Sequence, residues 1–385
     1  MLSSQNFQIR PLPLIVFGVD SSLTLATHVL SLQRRSALIV TDRGLTASGI
    51  PGALRELLEK DGIAVEVFDG VAPNPTDANV MEGAKLLQQL NDPALVAVGG
   101  GSAMDCGKAI ALLGPNGGNV EELQTTPPRH PGAPVIAIAT TAGTGSETNS
   151  ACVITNTRLG RKTYVIHPSI TPKISLLDPK LTLGLPRYST ATCGFDVLTH
   201  AVEAFTSNRT TPYSDAVALR AIEMVARYLP RAMEDGSDLE ARSQMMLASS
   251  MAAIAFNVAG LGAAHGTGHA LSARLDTAHG QTLATMLPHV MSFNSETCAA
   301  KYAEIAEVMS AAQTSSSLKE GPIKAVDAVV RFRASLGLDK SIRDLGGGEH
   351  LLPLLVADAA ADPVNRTNPR ALDEAAFESL YRAAW

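Results

Sequence analysis

The chain has 385 residues, a length that favours two domains. Its formal net charge of −6 argues against a nucleic-acid-binding protein, and we expect no nucleic-acid partner. Hydrophobic residues make up 45% of the chain, which is ample for large cores. No uninterrupted apolar run reaches the roughly 18 residues of a membrane span, so we expect no membrane partner.

Strand-like and helix-like segments alternate through the first half. The predicted strands are residues 36–41, 63–68, 95–98 and 134–139, and the predicted helices are residues 51–60 and 83–90. Nearly continuous apolar strands separated by helices indicate a parallel sheet that is covered on both faces. Ligands of such a sheet bind at the carboxyl ends of its strands. We therefore predict a Rossmann-like α/β domain over residues 1–186.

The second half has little strand pattern and is rich in alanine, leucine, glutamate and arginine. The clearest helical segments are residues 216–229, 239–255, 301–312, 323–336 and 374–384, with loops at 346–348 and 361–370. We predict an all-α domain over residues 187–385, and an active site in the cleft between the two domains.

The four cysteines are scattered without a CxxC pair. They are Cys106, Cys152, Cys193 and Cys298. This pattern suits a reducing compartment and predicts no cysteine-based zinc site. The first residues lack a basic region ahead of a long apolar one, so a signal peptide is not expected. We predict a cytoplasmic protein.

A glycine turn joins the predicted strand at residues 95–98 to a helix. The three glycines at residues 99–101 let backbone amides come close to an anion, because no Cβ intervenes. Ser102 is a candidate N-cap, and Asp105 three residues later completes a start that resembles a capping box. A helix N-terminus behind such a loop suits a phosphate, although a glycine turn after a strand needs no ligand.

The segment at residues 137–150 repeats this pattern, with a strand that ends at Thr140 and Thr141 before a loop of glycine and threonine. Two such loops at neighbouring strand ends could hold the two ends of a dinucleotide, or the second could be only a polar turn. Asp42 follows its own strand and is placed to accept from a ribose 2′-hydroxyl. Because a carboxylate there would repel a 2′-phosphate, it favours NAD over NADP.

Histidines are concentrated in residues 257–290, which follow an apolar segment. Four of the nine lie here: His265, His269, His279 and His289. Upstream, Asp196 and His200 are four residues apart and would share one face of a helix. One carboxylate with several imidazoles is a ligand set for a divalent transition metal.

Spacing alone leaves the histidine ligands open. His265 and His279 would lie about 21 Å apart along one straight helix, so they could share an ion only if the chain turns back between them. Residues 276–277 and 279–280 are candidate turn positions. His265 and His269 could instead bind together as an i, i+4 pair.

Several segments, in this order, resemble the iron-containing (group III) alcohol dehydrogenases from about residue 14 to the end. They are GGGSAMD, TTAGTGSE, LLDPKLT, GFDVLTHAVEA, AFNVAGLGAAHGTGHAL, HGQTLATMLPHV and TNPRALDEAAFESLYRAAW. The resemblance implies an N-terminal dinucleotide-binding domain, a C-terminal helical domain with a divalent metal, usually Fe(II) and sometimes Zn(II), and a homodimer.

The resemblance also implies residue roles. The metal ligands would be Asp196, His200, His265 and His279. His269 would lie beside the nicotinamide and the substrate as a catalytic residue. The implied cofactor contacts are Asp42, Asn74, Gly100, Gly101, Ser102, Asp105, Thr140, Thr141, Thr144 and Lys162.

We therefore expect a metal-dependent, NAD-linked alcohol dehydrogenase that interconverts a small primary alcohol and its aldehyde by hydride transfer. Apolar residues before the site (Phe256, Val258 and Leu261) favour a small, uncharged alcohol. A dehydroquinate-synthase-like lyase would need several basic residues, and only Arg274 lies around the metal motifs. A maleylacetate-reductase-like enzyme without metal is opposed by the full ligand set. A non-catalytic NAD-binding metalloprotein stays open.

Overall fold

The chain divides into two compact units. The computed structural model describes residues 7–9, 11–158, 161–312 and 324–385. The first unit is Pro11–Gly184, and the second is Leu185–Trp385 together with residues 7–9. The predicted domain boundary after residue 186 stays a prediction, and it falls close to this division.

Strands of the first unit form a parallel sheet and a separate hairpin. They are β1 (Leu14–Phe17), β2 (Ser36–Val40), β3 (Ala64–Phe68), β4 (Ala94–Gly99), β5 (Val135–Ala139), β6 (Ala151–Asn156), β7 (Arg161–Ile166) and β8 (Ile174–Leu177). Six of these described strands pair in parallel in the order β1-β8-β5-β4-β2-β3, while β6 and β7 pair antiparallel. The predicted parallel sheet is confirmed, and β2 to β5 correspond to the predicted strands. The sequence analysis missed β1 and β8, which are only four residues long, and the hairpin strands β6 and β7.

Helices of the first unit cover the sheet. They are α1 (Leu25–Ser31), α2 (Arg43–Ala47), α3 (Ile50–Lys60), α4 (Asp77–Gln89), α5 (Gly101–Asn116) and α6 (Glu122–Thr125). Every residue of β2, β4 and β5 is buried, as expected for strands that are covered on both faces. Leu54 and Leu58 of α3, four residues apart, pack into the same apolar core.

The start of α4 corrects one prediction. The helix begins at Asp77 rather than at residue 83, because Thr76 and Asn79 form a capping box. The Thr76 hydroxyl accepts from the Asn79 amide at 3.2 Å, and Asn79 Oδ1 accepts from the Thr76 amide at 3.1 Å. Residues 77–82, which precede the predicted helix, therefore form its first turns.

The strand order has a topological switch point between β2 and β4. The chain leaves β2 toward β3 on one side and leaves β4 toward β5 on the other. In sheets of this kind, ligands bind at the carboxyl ends of the strands where the direction reverses. Asp42 follows β2 and the glycine turn follows β4, so both predicted cofactor elements lie at this switch point.

The second unit is helical in its described part, which confirms the predicted fold class. Its helices are α7 (Arg187–Thr206), α8 (Pro212–Glu234), α9 (Leu239–Ala259), α10 (Ala263–Leu275), α11 (His279–Ala312, with a kink at Cys298), α12 (Ala325–Ser335), α13 (Leu352–Ala361) and α14 (Glu374–Ala383). The helix predicted over residues 301–312 is the end of α11. Residue 323, the predicted start of another helix, lies outside the described residues.

A sharp turn separates α9 from α10. Gly260 adopts a φ of 84°, and a Cβ there would lie 2.5 Å from Thr367 Oγ1, so a side chain would be strained and crowded. The two helices are bent by 110°. No single helix of the described chain is long and apolar enough to cross a membrane, although α9 and α10 taken together meet that test by length and composition.

Candidate active site

Three imidazoles of the second unit converge on one carboxylate oxygen. From Asp196 Oδ1, the distances to the Nε2 atoms of His200, His265 and His279 are 3.4, 3.6 and 3.8 Å. The possible ligand atoms of Asp196, His265 and His279 all lie within 4.8 Å of one another. The four residues predicted as metal ligands are therefore neighbours in the structure.

Three helices bring these residues together. Asp196 and His200 lie one turn apart on α7, His265 lies on α10, and His279 is the first residue of α11. The chain turns between the last two at Asp276, which has a left-handed φ of 48°. Gly280 lets α11 approach α7 closely, because a Cβ there would overlap the carbonyl oxygen of Thr192.

Two facing atoms of this cluster are buried without a hydrogen-bond partner. They are Asp196 Oδ1 and His265 Nε2. An unsatisfied buried polar atom costs about 1–3 kcal/mol, and native structures normally supply a partner or an ion. A divalent cation among one carboxylate and three imidazoles would satisfy both atoms. The residues present therefore fit a metal.

Electrostatics favour the ligand forms of these side chains. Burial lowers the pKa of His200 to about 4, and partial burial also lowers the pKa of His279, so both imidazoles are neutral near pH 7. Burial alone would raise the pKa of Asp196, but the attraction of His200 and the other imidazoles outweighs it and lowers that pKa. Neutral imidazole and ionised carboxylate are the forms that bind metals.

His265 behaves differently because two carboxylates surround it. Burial lowers its pKa, but the carboxylates of Glu203 and Asp196 outweigh burial and raise the pKa of His265 to about 9. The centre therefore favours a positive charge at His265 Nε2. A metal cation can take the place of that proton.

Glu203 is a buried carboxylate that the sequence analysis did not select. It lies on α7, and its Oε2 accepts from His265 Nδ1 at 2.5 Å. Its Oε1 accepts from the amides of Ala264 at 2.6 Å and His265 at 3.4 Å, at the start of α10. Glu203 thus fixes the ring so that Nε2 faces Asp196. The sequence could have indicated Glu203, since residues 196, 200 and 203 follow the i, i+4, i+7 spacing of one helix face.

His269 lies one turn after His265 on α10 and, like His200, is not among the three described residues whose ligand atoms converge within 4.8 Å. Its ring stacks on His279 with 5.2 Å between centroids and 17° between planes. Its Nδ1 lies 2.8 Å from Asp362 Oδ2. The structure therefore places His269 beside the cluster, with a carboxylate partner of its own.

In the first unit, the glycine turn after β4 starts α5 two residues earlier than predicted. Gly100 is the N-cap, because its extended backbone precedes the first helical residue, Gly101. The prediction that Ser102 caps the helix is wrong: Ser102 lies inside α5, and its hydroxyl donates to the carbonyl of Pro73. Asp105 does not complete a capping box with Ser102. It accepts from Ser146 Oγ at 2.5 Å and from the Val153 amide at 2.9 Å.

The two predicted cofactor loops are in contact. A Cβ on Gly101 would lie 2.7 Å from Thr144 Cγ2, and one on Gly100 would lie 3.2 Å from Thr141 Cγ2. The amide of Thr140, which is buried, donates to the carbonyl of Gly99 at 3.0 Å. Glycine is therefore needed where the loops after β4 and β5 meet.

Lys108 of α5 binds the loop after β5, and the sequence analysis did not select it. It is 1% exposed, and its Nζ donates to Ser146 O and Asn149 Oδ1, both at 3.0 Å. It also lies 3.4 Å from Asp105 Oδ1. This buried charge is paired and hydrogen-bonded, so it holds the loop after β5 against α5.

The other predicted cofactor residues of this unit lie after β2, in the loop before α4 and within β7. Asp42 Oδ1 accepts from the Leu45 amide at 3.0 Å and so caps α2. A Cβ on Gly99 would lie 3.9 Å from Asp42 Oδ2, which places Asp42 next to the glycine turn. Lys162 of β7 donates to Asn74 Oδ1 at 2.8 Å.

Family comparisons match both units. The model of the iron-containing alcohol dehydrogenases matches residues 13–179, and that of the C-terminal domain of the Fe-containing alcohol dehydrogenase family matches residues 190–385. The chain is 37% identical to the 1,3-propanediol dehydrogenase of Klebsiella pneumoniae, over 96% of each chain. It is 36% identical to the NAD-dependent methanol dehydrogenase of Bacillus methanolicus, over 95% of this chain and 96% of that protein.

A solved structure extends the match to three dimensions. The crystal structure of a 1,3-propanediol oxidoreductase aligns with a TM-score of 0.92 and 36% identity, covering 99% of this chain and 100% of that one. The two family models and these relatives, which are named as dehydrogenases and an oxidoreductase, show that this protein is an oxidoreductase. The chain belongs to the iron-containing alcohol dehydrogenase family.

Proposed function

We propose that this chain is an NAD-dependent, metal-dependent alcohol dehydrogenase that interconverts a small primary alcohol and its aldehyde. One observation carries the proposal: three imidazoles converge on Asp196 Oδ1, while Asp196 Oδ1 and His265 Nε2 are buried without hydrogen-bond partners. If the cluster bound no ion, these two atoms would stay unsatisfied at a cost in stability, whereas a bound cation satisfies them.

The residues that would hold the metal are Asp196, His200, His265 and His279. One carboxylate and three imidazoles, with no thiolate, suit both Fe(II) and Zn(II). Membership of the iron-containing family favours Fe(II), with Zn(II) as the alternative ion. Glu203 would stabilise the set by keeping His265 Nδ1 protonated and its Nε2 directed at the metal.

NAD would bind to the first unit. The residues proposed to contact it are Asp42, Asn74, Gly100, Gly101, Ser102, Asp105, Thr140, Thr141, Thr144 and Lys162. The start of α5 follows a glycine turn and has no side-chain cap, which supports a phosphate site there. Because Asp42 lies at the switch point, it supports selection of NAD over NADP. The name of the Bacillus methanolicus relative, an NAD-dependent enzyme, agrees.

The chemistry can be divided between the bound groups and the protein. When bound, NAD carries the hydride and the cation acts as a Lewis acid on the alcohol oxygen. Asp196 and Glu203 supply the negative charge that holds the centre together. His269, beside His279, would take up the hydroxyl proton as the alcohol is oxidised and return it in the reverse direction.

The substrate is proposed to be small and primary. Phe256 lies against His200 with 4.7 Å between ring centroids, so an apolar wall borders the cluster. The relatives are named for methanol and 1,3-propanediol, which are short primary alcohols. Both observations support an uncharged substrate with few carbons. The homodimer and the cytoplasmic location stay predictions.

A substrate panel tests the proposal. Purified protein is stripped of metal, reloaded with Fe(II) or Zn(II), and assayed by NADH absorbance with C1 to C4 alcohols and aldehydes. We expect turnover with NAD to require a metal and to be faster than turnover with NADP. If the metal-loaded protein turns over none of these alcohols or aldehydes, the proposed activity is wrong.

A further inference from the structure

We propose that Asp362 is the positioning residue of His269, and that it fixes which ring nitrogen carries the proton. Nδ1 of His269 would be protonated and donate to Asp362, leaving Nε2 as the acceptor. The inference rests on the proposed function, in which His269 takes up the alcohol proton. Nε2 is then the nitrogen that does so.

The carboxylate of Asp362 is engaged at both oxygens. Oδ2 lies 2.8 Å from His269 Nδ1, and Oδ1 accepts from the backbone amide of Val364 at 3.0 Å. The side chains of His269 and Asp362 are 21% and 9% exposed, so water competes weakly for the contact. An ionised carboxylate only accepts hydrogen bonds. The nitrogen that faces it must therefore carry the proton.

The segment that carries Asp362 is tied to the rest of the second unit. Asp362 precedes a short 3-10 turn, Pro363–Thr367. Asn365 Nδ2 donates to the carbonyls of Ala359 at 2.7 Å and of Asp362 at 3.0 Å. Asn365 also packs against Gly266 of α10, where a Cβ would overlap it. The carboxylate is therefore held in place before any substrate binds, as preorganised catalysis requires.

An asparagine at position 362 separates this role from simple packing. The Val364 amide needs an acceptor, so the amide oxygen of the new side chain would take the place of Oδ1. Its NH2 group would then face His269 Nδ1. Two donors cannot face each other, so the ring would adopt the other tautomer, with the proton on Nε2. The Asp362→Asn substitution therefore keeps the shape of the side chain and its bond to the turn, but it moves the proton of the His269 ring from Nδ1 to Nε2.

The matched control is Asp358→Asn. Asp358 lies on α13, and its Oδ2 accepts from Arg274 Nε of α10 at 2.7 Å. This variant removes a nearby carboxylate that also pairs with a side chain of α10, and it leaves the contact of His269 unchanged. We expect kcat to fall by about 10²-fold or more in Asp362→Asn, as for loss of a proton-transfer group. In Asp362→Asn, we expect KM and metal content to stay near the wild-type values. In Asp358→Asn, we expect kcat, KM and metal content all to stay near the wild-type values.

A spectroscopic measurement makes the test independent of turnover. Long-range ¹H–¹⁵N correlations of the histidine rings in the Zn(II)-loaded protein report the tautomer, and the signals of His269 are assigned by their loss in His269→Gln. Wild type is expected to show the proton on Nδ1, and Asp362→Asn the proton on Nε2. A wild-type ring with its proton on Nε2, or an Asp362→Asn enzyme with wild-type kcat, overturns the inference. A wild type that turns over no alcohol overturns the proposed function instead, and the tautomer still decides the inference.

Discussion

Glu203 Oε2 lies 2.5 Å from Nδ1 of His265, while Oε1 of the same carboxylate accepts from the backbone at the first turn of α10. One side chain thus fixes both the orientation of a candidate ligand and the start of the helix that carries it. Asp362 holds His269, one turn later on α10, in a similar way. The buried Glu203 and the partly buried Asp362 therefore give different carboxylate partners to two histidines that the sequence spacing could not distinguish.

Glu203→Gln should weaken metal binding. Both oxygens of Glu203 accept hydrogen bonds, so an amide must turn its NH2 group toward a donor at one of the two places. Loss of such a partner typically costs 10–100-fold in metal affinity, and we expect a loss of about that size. Competition with a chelator for Zn(II) measures it. Glu223→Gln, which alters a surface ion pair on α8, is the control and should bind as wild type does. Equal Zn(II) affinities in wild type, Glu203→Gln and Glu223→Gln would contradict this role of Glu203.

Alanine variants should separate ligands from neighbours. His265→Ala and His279→Ala each remove an imidazole that faces Asp196 Oδ1, so we expect both to lose most of their metal and activity. His269→Ala should keep its metal while kcat falls by about 10²-fold. Elemental analysis after reconstitution measures occupancy. A metal-free His269→Ala protein alongside a metal-replete His265→Ala protein would reverse the assignment.

The fold was largely predictable, because β2, β4 and β5 are continuous apolar segments that end in glycine- or threonine-containing loops. The residues proposed as ligands were identified from histidine density and from the resemblance. Asp362 could not be predicted, since it lies 93 residues from His269 and no local pattern connects them. Ser102 was misassigned because Gly100, with an extended backbone, starts the helix without a side-chain cap. Contacts made only by tertiary packing leave no signal at short sequence spacing.

Asp42 should control the choice between NAD and NADP, and the structure indicates which substitution tests this best. Asp42 also caps α2, so Asp42→Asn removes the charge while keeping an oxygen for the Leu45 amide. We expect kcat/KM with NADP to rise in Asp42→Asn and in Asp42→Gly, with little change in thermal stability. The ratio of the two cofactors' kcat/KM values is the measurement. A wild type that already uses NADP as well as NAD would contradict this role of Asp42.

Gly280 should be needed both for stability and for the metal centre. It follows His279, and a Cβ there would overlap a backbone carbonyl of α7, which cannot move aside as a flexible side chain could. We expect Gly280→Ala to lower the free energy of unfolding by about 1–3 kcal/mol, typical of overpacking. Metal occupancy should fall with it, because α11 carries His279 away from Asp196. Gly52→Ala is the control: Gly52 lies within α3 with nothing within 4 Å of the added methyl, so it should stabilise by about 0.4–1 kcal/mol. Urea unfolding and elemental analysis of both variants measure the two effects, and a Gly280→Ala protein as stable and as metal-replete as wild type would show that α7 and α11 do not need this close approach.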